Sequence, residues 1–329
     1  GYQAGKFASG SWNTFVGASS GEGGTTSAPF SSGQYNTAMG FEALKGFTTA
    51  NDIVALGYRS LLSLTTGGRN VGVGTSTGRN ITVATDTVHV GDEAGRYATG
   101  SYNTFVGSDA GKGGTTSAPY SSGKSNTAIG YQALDGFTTG GDNIAIGRAA
   151  LGTLANGGSN VAIGNYAGDA MTSNSYNVAI GGDALGVANS GEDNNVAVGH
   201  NALGYVDNSA ADNNIGIGYS ALAGGTSIGY SNIAIGASAM LANSDIDYAI
   251  AIGTSALRGI MTADADGTIA IGATALNALT SGAGNIAIGQ NAMVVHTTGA
   301  RNIAIGQFAM DDTNAGSTSL GANDNLPSE

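Results

Sequence analysis

Short stretches of the chain alternate between apolar and small or polar residues with a period of two, and they do so within one recurring block, Asn-x-Ala-Ile-Gly-x-x-Ala-Leu. Its clearest copies begin at Asn126, Asn143, Asn160, Asn177, Asn232, Asn285 and Asn302. Successive side chains of a β-strand fall on opposite faces, so the two aliphatics of each block share one face while Asn, Ala and Gly share the other. The position before the closing glycine is never polar, running from Val16 and Met39 through Ile129 and Ile146 to Ile305 and Leu320. Such a column is expected to be a core ladder. A second column lies four residues past the glycine: Leu44, Leu61, Leu134, Leu151, Leu185, Leu203, Leu222, Met240, Leu257, Leu276, Met293 and Met310, with Gly in several early copies. It is expected to close the same core from the opposite wall.

Aligned on the closing glycine, the copies run from Gly17 to Gly321 as 18 glycines separated by 17 intervals, nine of which are 17 residues long. A period this short leaves no room for strand, crossover helix and return. It suits one turn of a solenoid in which each strand lies on its predecessor, adding about 4.8 Å per turn and roughly 85 Å over the whole repeat. The expected fold class is therefore all-β, a parallel β-solenoid of 18 coils. A single continuous repeat domain is expected over residues 1–321, followed by a tail over 322–329 that would be a processing end.

A lone coil buries too few apolar side chains to offset the ordering of its backbone, so stacking has to supply the remainder. The Ala face of the strand, small and uncharged, is expected to contact another subunit or coil. The Asn column admits two readings, amides bonded to one another up the stack or residues that end each strand in a tight turn. A longer periodicity lies above the first: residues 10–49 and 100–139 agree at 28 of 40 positions. Both copies carry an insertion, residues 19–33 and 109–123, that lengthens a turn from 17 to 23 residues. The same offset places Gly1 where a closing glycine belongs, which implies a cut precursor or the ordered part of a longer chain.

Composition narrows the field. Gly supplies 57 of 329 residues and charged residues only 10%, against about 7% and a quarter in ordinary globular proteins, which argues against a helix-rich enzyme. Three Pro and the absence of a three-residue glycine period exclude collagen, and a 41% hydrophobic content argues against disorder. With 11 Lys and Arg against 23 Asp and Glu, the net charge of −12 disfavours nucleic acid as a partner. Between Ala149 and Leu257 there is no basic residue and there are eight acidic ones. The lack of Cys removes disulfides, thiolate metal sites and a Cys nucleophile. No apolar run reaches the length of a membrane span, so membrane insertion is not expected.

Candidate chemistry is sparse, and no catalytic residue, metal ligand or cofactor is expected. His89, His200 and His296 have no ligand spacing, but His89 occupies a strand position that is Ala in most copies. On a threefold axis it would form a ring able to hold an anion or metal. Asp245 with Asp247, and Asp264 with Asp266, are spaced like ligands of calcium loops, yet the required Glu is replaced by Ala275, so solvated turns are expected instead. Carboxylates fall in connecting segments, which does not suggest the paired acids of a glycan-cleaving enzyme. The insertions carry Phe30 and Tyr120, with Trp12 and Tyr102 nearby. Aromatic rings can stack on sugar faces, so these four are expected receptor contacts; the competing reading makes each insertion a flap over the core edge.

The block resembles the head repeat of trimeric autotransporter adhesins of the YadA type, Ser/Asn-x-Val/Ala-Ile-Gly followed by small residues and Ala, a repeat also found in phage tail fibres. The resemblance covers nearly the whole chain, although the period here is longer than usual in adhesin heads. It implies a left-handed β-roll, three chains side by side, and a place outside the cell or on a virion. Asn325-Leu-Pro-Ser-Glu329 is similar to the junction before a self-cleaving chaperone domain of the endosialidase type. The expectation is an extracellular homotrimer forming the shaft or head of a phage tail fibre and attaching to a host-surface glycan or protein receptor. The alternatives are a bacterial cell-surface trimeric adhesin and a head-to-tail β-solenoid filament. All of this depends on the Ile/Val and Leu/Met columns forming one internal apolar spine.

Overall fold

A computed structural model describes residues 1–114, 120–189, 191–206, 211–224, 229–242, 246–259 and 265–311. The expected tail, the last block closing at Gly321, residues Asp245 and Asp264, and positions 115–119 of the second insertion lie outside the described residues. The chain divides into two compact units, Gly1–Asn165 and Tyr166–Glu329. The first unit stacks nine three-residue strands, from β1 (Thr14–Val16) to β9 (Val161–Ile163). Neighbours are parallel and in register; β7 (Thr127–Ile129) sets Thr127, Ala128 and Ile129 opposite Ile144, Ala145 and Ile146 of β8 (Ile144–Ile146). The second unit stacks eight, from β10 (Val178–Ile180) to β17 (Ile303–Ile305), in the same parallel register. Each unit is thus a parallel β-solenoid with about 17 residues per turn, and no α-helix occurs among the described residues.

The strand faces, however, are inverted relative to the expectation. The middle residue of each strand is the inner one: Ala38, Ala55, Ala128, Ala145 and Ala162 in the first unit, and Ala179, Ala234, Ala251, Ala270, Ala287 and Ala304 in the second, are buried. The aliphatics on either side turn outward, with Met39 51%, Ile129 40% and Ile305 56% exposed against 0% for Ala128. The reason is the width of the coil. The Leu/Met column, from Leu44 to Met293, is fully buried on the facing wall as expected, and it reaches the strand. At Gly72, which replaces Ala in its strand, an added Cβ would stand 2.8 Å from Leu61 Cγ. Leucine on one wall therefore leaves room for little more than a methyl group on the other. A further core column, seven residues past the closing glycine, went unrecognised in the sequence: Phe47, Leu64, Ile81, Phe137, Leu154, Met171 and Leu279 are all buried.

The two walls trade volume. Where the strand carries a ring, the facing wall carries glycine: a Cβ on Gly21 would strike the Phe15 ring, one on Gly111 the Phe105 ring, and those on Gly78 and Gly95 the His89 imidazole. This explains Gly21, Gly78, Gly95 and Gly111 in the Leu column. The residues left in that column have left-handed backbones, such as Leu134 at φ +52° and Leu151 at φ +51°. The turn requires that conformation whichever residue occupies it, as Gly111 has the same φ of +52°.

All seven Asn of the clearest blocks are buried and hydrogen-bonded. Asn126 Nδ2 donates to Gly140 O at 3.0 Å, while its Oδ1 accepts the backbone N–H of Asn143 at 3.0 Å and Asn143 Nδ2 at 3.1 Å. Asn160 stands in the same relation to Asn143, and Asn302 to Asn285. In the second unit Asn195 N bonds Asn177 Oδ1 at 2.8 Å and Asn232 N bonds Asn214 Oδ1 at 2.9 Å. Both sequence readings are thus partly realised. Amide-to-amide rungs exist, but each Asn chiefly ties the backbone of one turn to the next, and the left-handed residue is the one before it, such as Ser125 or Asp142.

The volume trade is testable in one coil. Gly111→Leu should drive its side chain into Phe105 and destabilise the first unit by about 1–3 kcal/mol, the cost of overpacking. Adding Phe105→Ala recreates the Ala128 and Leu134 pair of the next turn and should restore most of the thermal midpoint. If the double variant melts no higher than Gly111→Leu, the two walls are not coupled as described.

Candidate functional site

The outward side of the strands is an extended apolar surface. In the second unit every first and third strand position, from Val178 and Ile180 to Ile303 and Ile305, is Val or Ile. Sixteen aliphatic side chains lie in two columns with neighbours in register. Of these, Ile217, Ile235, Ile252, Ile288, Ile303 and Ile305 are each more than a third exposed, and a contiguous apolar row of this kind marks an interaction surface. In the first unit, Thr14, Thr37, Thr104 and Thr127 interrupt one column, while the other runs Val16, Met39, Leu56, Val73, Val90, Val106, Ile129, Ile146 and Ile163.

Aromatic residues flank these columns. One residue before the Asn position stand Trp12, Tyr35, Tyr102, Tyr176 and Tyr248, each more than half exposed. One residue past the closing glycine stand Phe41, Tyr58, Tyr131 and Tyr219. The Trp12 and Tyr35 rings stack with centroids 4.9 Å apart and planes at 3°, and Phe41 stacks on Tyr58 at 5.7 Å.

The four aromatics singled out in the sequence fall into two groups. Trp12 and Tyr102 belong to the flanking column and are exposed. Phe30 and Tyr120, at the ends of the insertions, stack on Phe7 at 6.1 Å and Tyr97 at 6.0 Å, where parallel bridges join Ala8 to Ser31 and Ala98 to Ser121. The far ends of both insertions are therefore laid back on the preceding turn. Tyr35, Phe7 and Tyr97 were missed, although alignment on the Asn column would have shown Tyr35 beneath Trp12.

His89 corrects a second expectation. It lies on the inner wall of its coil, stacked on Phe105 at 5.1 Å, and neither ring nitrogen has a hydrogen-bond partner among the described residues. No axial ring can form from a side chain enclosed by its own coil. Burial holds its pKa down to about 3. His200 is exposed beside Asp183 and stacks on Tyr219, whereas His296 is buried near Asn302. Asp247 and Asp266 accept backbone N–H bonds from Tyr230 and Asp247 at 2.9 Å each, the work of turn residues. Among the described residues no group of three or more His, Asp or Glu could hold a metal ion, and no helix is long and apolar enough to cross a membrane. The chain matches no protein-family model, and no curated protein matches it.

His89 gives the first unit an acid-sensitive point. Its folded pKa lies below the unfolded value, so its contribution is whole above about pH 6.5 and is lost as pH falls from there toward 3. His89→Phe, which copies the Phe105 arrangement, should remove up to about 1.4 kcal/mol per pH unit of acid sensitivity in that window. Denaturant titrations at pH 7, 5 and 4 would measure it; parallel losses in both proteins would contradict the burial of a neutral imidazole.

Proposed function

We propose that the protein is a non-enzymatic attachment protein, forming the shaft or head of an extracellular homotrimeric fibre, best understood as a phage tail fibre that binds a host-surface glycan or protein. The observation that carries this reading is the outward aliphatic face. An extended exposed apolar row is the kind of surface that a protein interface covers. A second and third copy of the chain offer the same face, which makes self-assembly the simplest cover.

Three rather than two follows from the resemblance of the block to the head repeat of trimeric adhesins. The flanking aromatics would then rim the assembly, with Trp12 and Tyr102 available to a receptor. A bacterial cell-surface trimeric adhesin would use the same face in the same way, and the gene surrounding this chain distinguishes the two.

Native mass spectrometry is the direct test. A particle of about 96 kDa, three times the 32.1 kDa chain, is expected, and Ile235→Asp with Ile252→Asp should shift it to monomer while the β circular dichroism signal persists. Labelled trimer should bind host cells, and Trp12→Ala with Tyr102→Ala should reduce that binding at least about tenfold without changing mass. A monomeric native protein, or attachment indifferent to both aromatic substitutions, would overturn the reading.

A further inference from the structure

A groove of about 460 Å³ runs along the first insertion, walled by Glu22, Glu42, Lys45, Arg59, Leu62 and Arg79. Its size is that of a small-molecule site, and no outward strand residue lines it, so covering the aliphatic face would leave it open. Its charges are unevenly committed. Glu42 is held between Lys45 Nζ at 2.8 Å and Arg59 Nε at 2.7 Å, and the Lys45 hydrogen bond draws its carboxyl below the usual range. Those three groups hold one another in place.

Two other charged groups are not so committed. Arg79 makes no ion pair and no side-chain hydrogen bond among the described residues. The Glu22 carboxylate accepts no hydrogen bond among the described residues; one of its oxygens is out of solvent, and its ion pair with Lys45 Nζ, at 3.7 Å, is longer than a hydrogen bond. The groove therefore offers an open guanidinium fork, the group that best fits a carboxylate, beside an acceptor that needs an O–H donor. Leu62 adds a small apolar surface between polar walls.

The duplicated segment supplies an internal comparison. The backbone repeats at an offset of 90 residues, yet Glu22, Glu42, Lys45 and Arg59 are replaced by Lys112, Gln132, Asp135 and Ala149. In the second copy Lys112 is bound by Glu93 at 2.8 Å and Asp109 at 2.9 Å. Burial, the larger effect there, pushes the Asp135 carboxyl up to about 6. Two nearly identical backbones thus carry different charge sets, which architecture alone does not require.

We propose that the groove at the first insertion binds an acidic saccharide unit, with Arg79 taking its carboxylate and Glu22 accepting from its hydroxyls. This names a ligand class for the attachment reading and depends on that reading only for its biological meaning, because binding is read in solution and independently of assembly. The full-length protein would be titrated calorimetrically with galacturonate and glucuronate tetrasaccharides, their neutral methyl esters, and sodium acetate. At least one uronate should bind, its ester about tenfold or more weaker, and acetate not measurably. Arg79→Gln should weaken the uronate about tenfold and Glu22→Gln severalfold, consistent with loss of charge-assisted bonds, with circular dichroism unchanged. Failure of both uronates, equal binding of ester and acid, full competition by acetate, or wild-type affinity in Arg79→Gln would each overturn the proposal. A protein that binds uronate but is monomeric would overturn the fibre reading and leave the groove standing.

Discussion

Backbone meets backbone at the closing glycines of successive turns, and the rest of the structure follows from that contact. A Cβ on Gly130 would stand 2.6 Å from Gly147 O, and the φ of +132° at Gly130 is one that side chains rarely adopt. Turns can stack in strand register because nothing intervenes at this corner. The coil that results is narrow. Its inner wall takes Asn and Ala, its far wall takes Leu, and the larger strand residues are left to the outside.

Holding so many turns in register has a conformational cost. Besides the glycine, a typical turn places three residues in the left-handed region; around β7 these are Ser125, Gln132 and Leu134. Each costs about 1–2 kcal/mol for a residue with a Cβ. Interturn hydrogen bonds hold them there: Gln132 N to Ser108 O at 3.1 Å, Leu134 N to Ala150 O at 2.9 Å, Ser125 N to Ser101 O at 3.2 Å. The buried Asn amides act in the same direction, since an unpaired buried amide would cost about 1–3 kcal/mol. Stacking and strain are thereby coupled, because a turn without neighbours would keep the strain and lose the bonds.

The period, the parallel register and the inward Leu/Met column were legible in the sequence because each is a repeating spacing. The inward face of the strand was not. Hydrophobicity alone points Ile146 inward and Ala145 outward, and the structure does the reverse. The signal that decides it was present in Asn143, which shares a face with Ala145 and Gly147. An Asn that links turns must lie inside, and its alternates follow it. The exchange of Leu for Gly opposite Phe15, His89 and Phe105 needed only the two columns read against each other. The Arg79 groove could not be read at all, since residues 22, 42, 59 and 79 meet only once turns are stacked.

Because the protein contains no Cys, single cysteines can report which way each strand residue faces. Ala145→Cys should stay unreactive toward a small thiol reagent for as long as the fold persists. Ile144→Cys and Ile146→Cys should react rapidly in folded single chains, with the β signal intact. Reactivity in the opposite order, with Ala145→Cys labelled while the flanking cysteines stay protected in separated, folded chains, would contradict the inside-out strand on which this account rests.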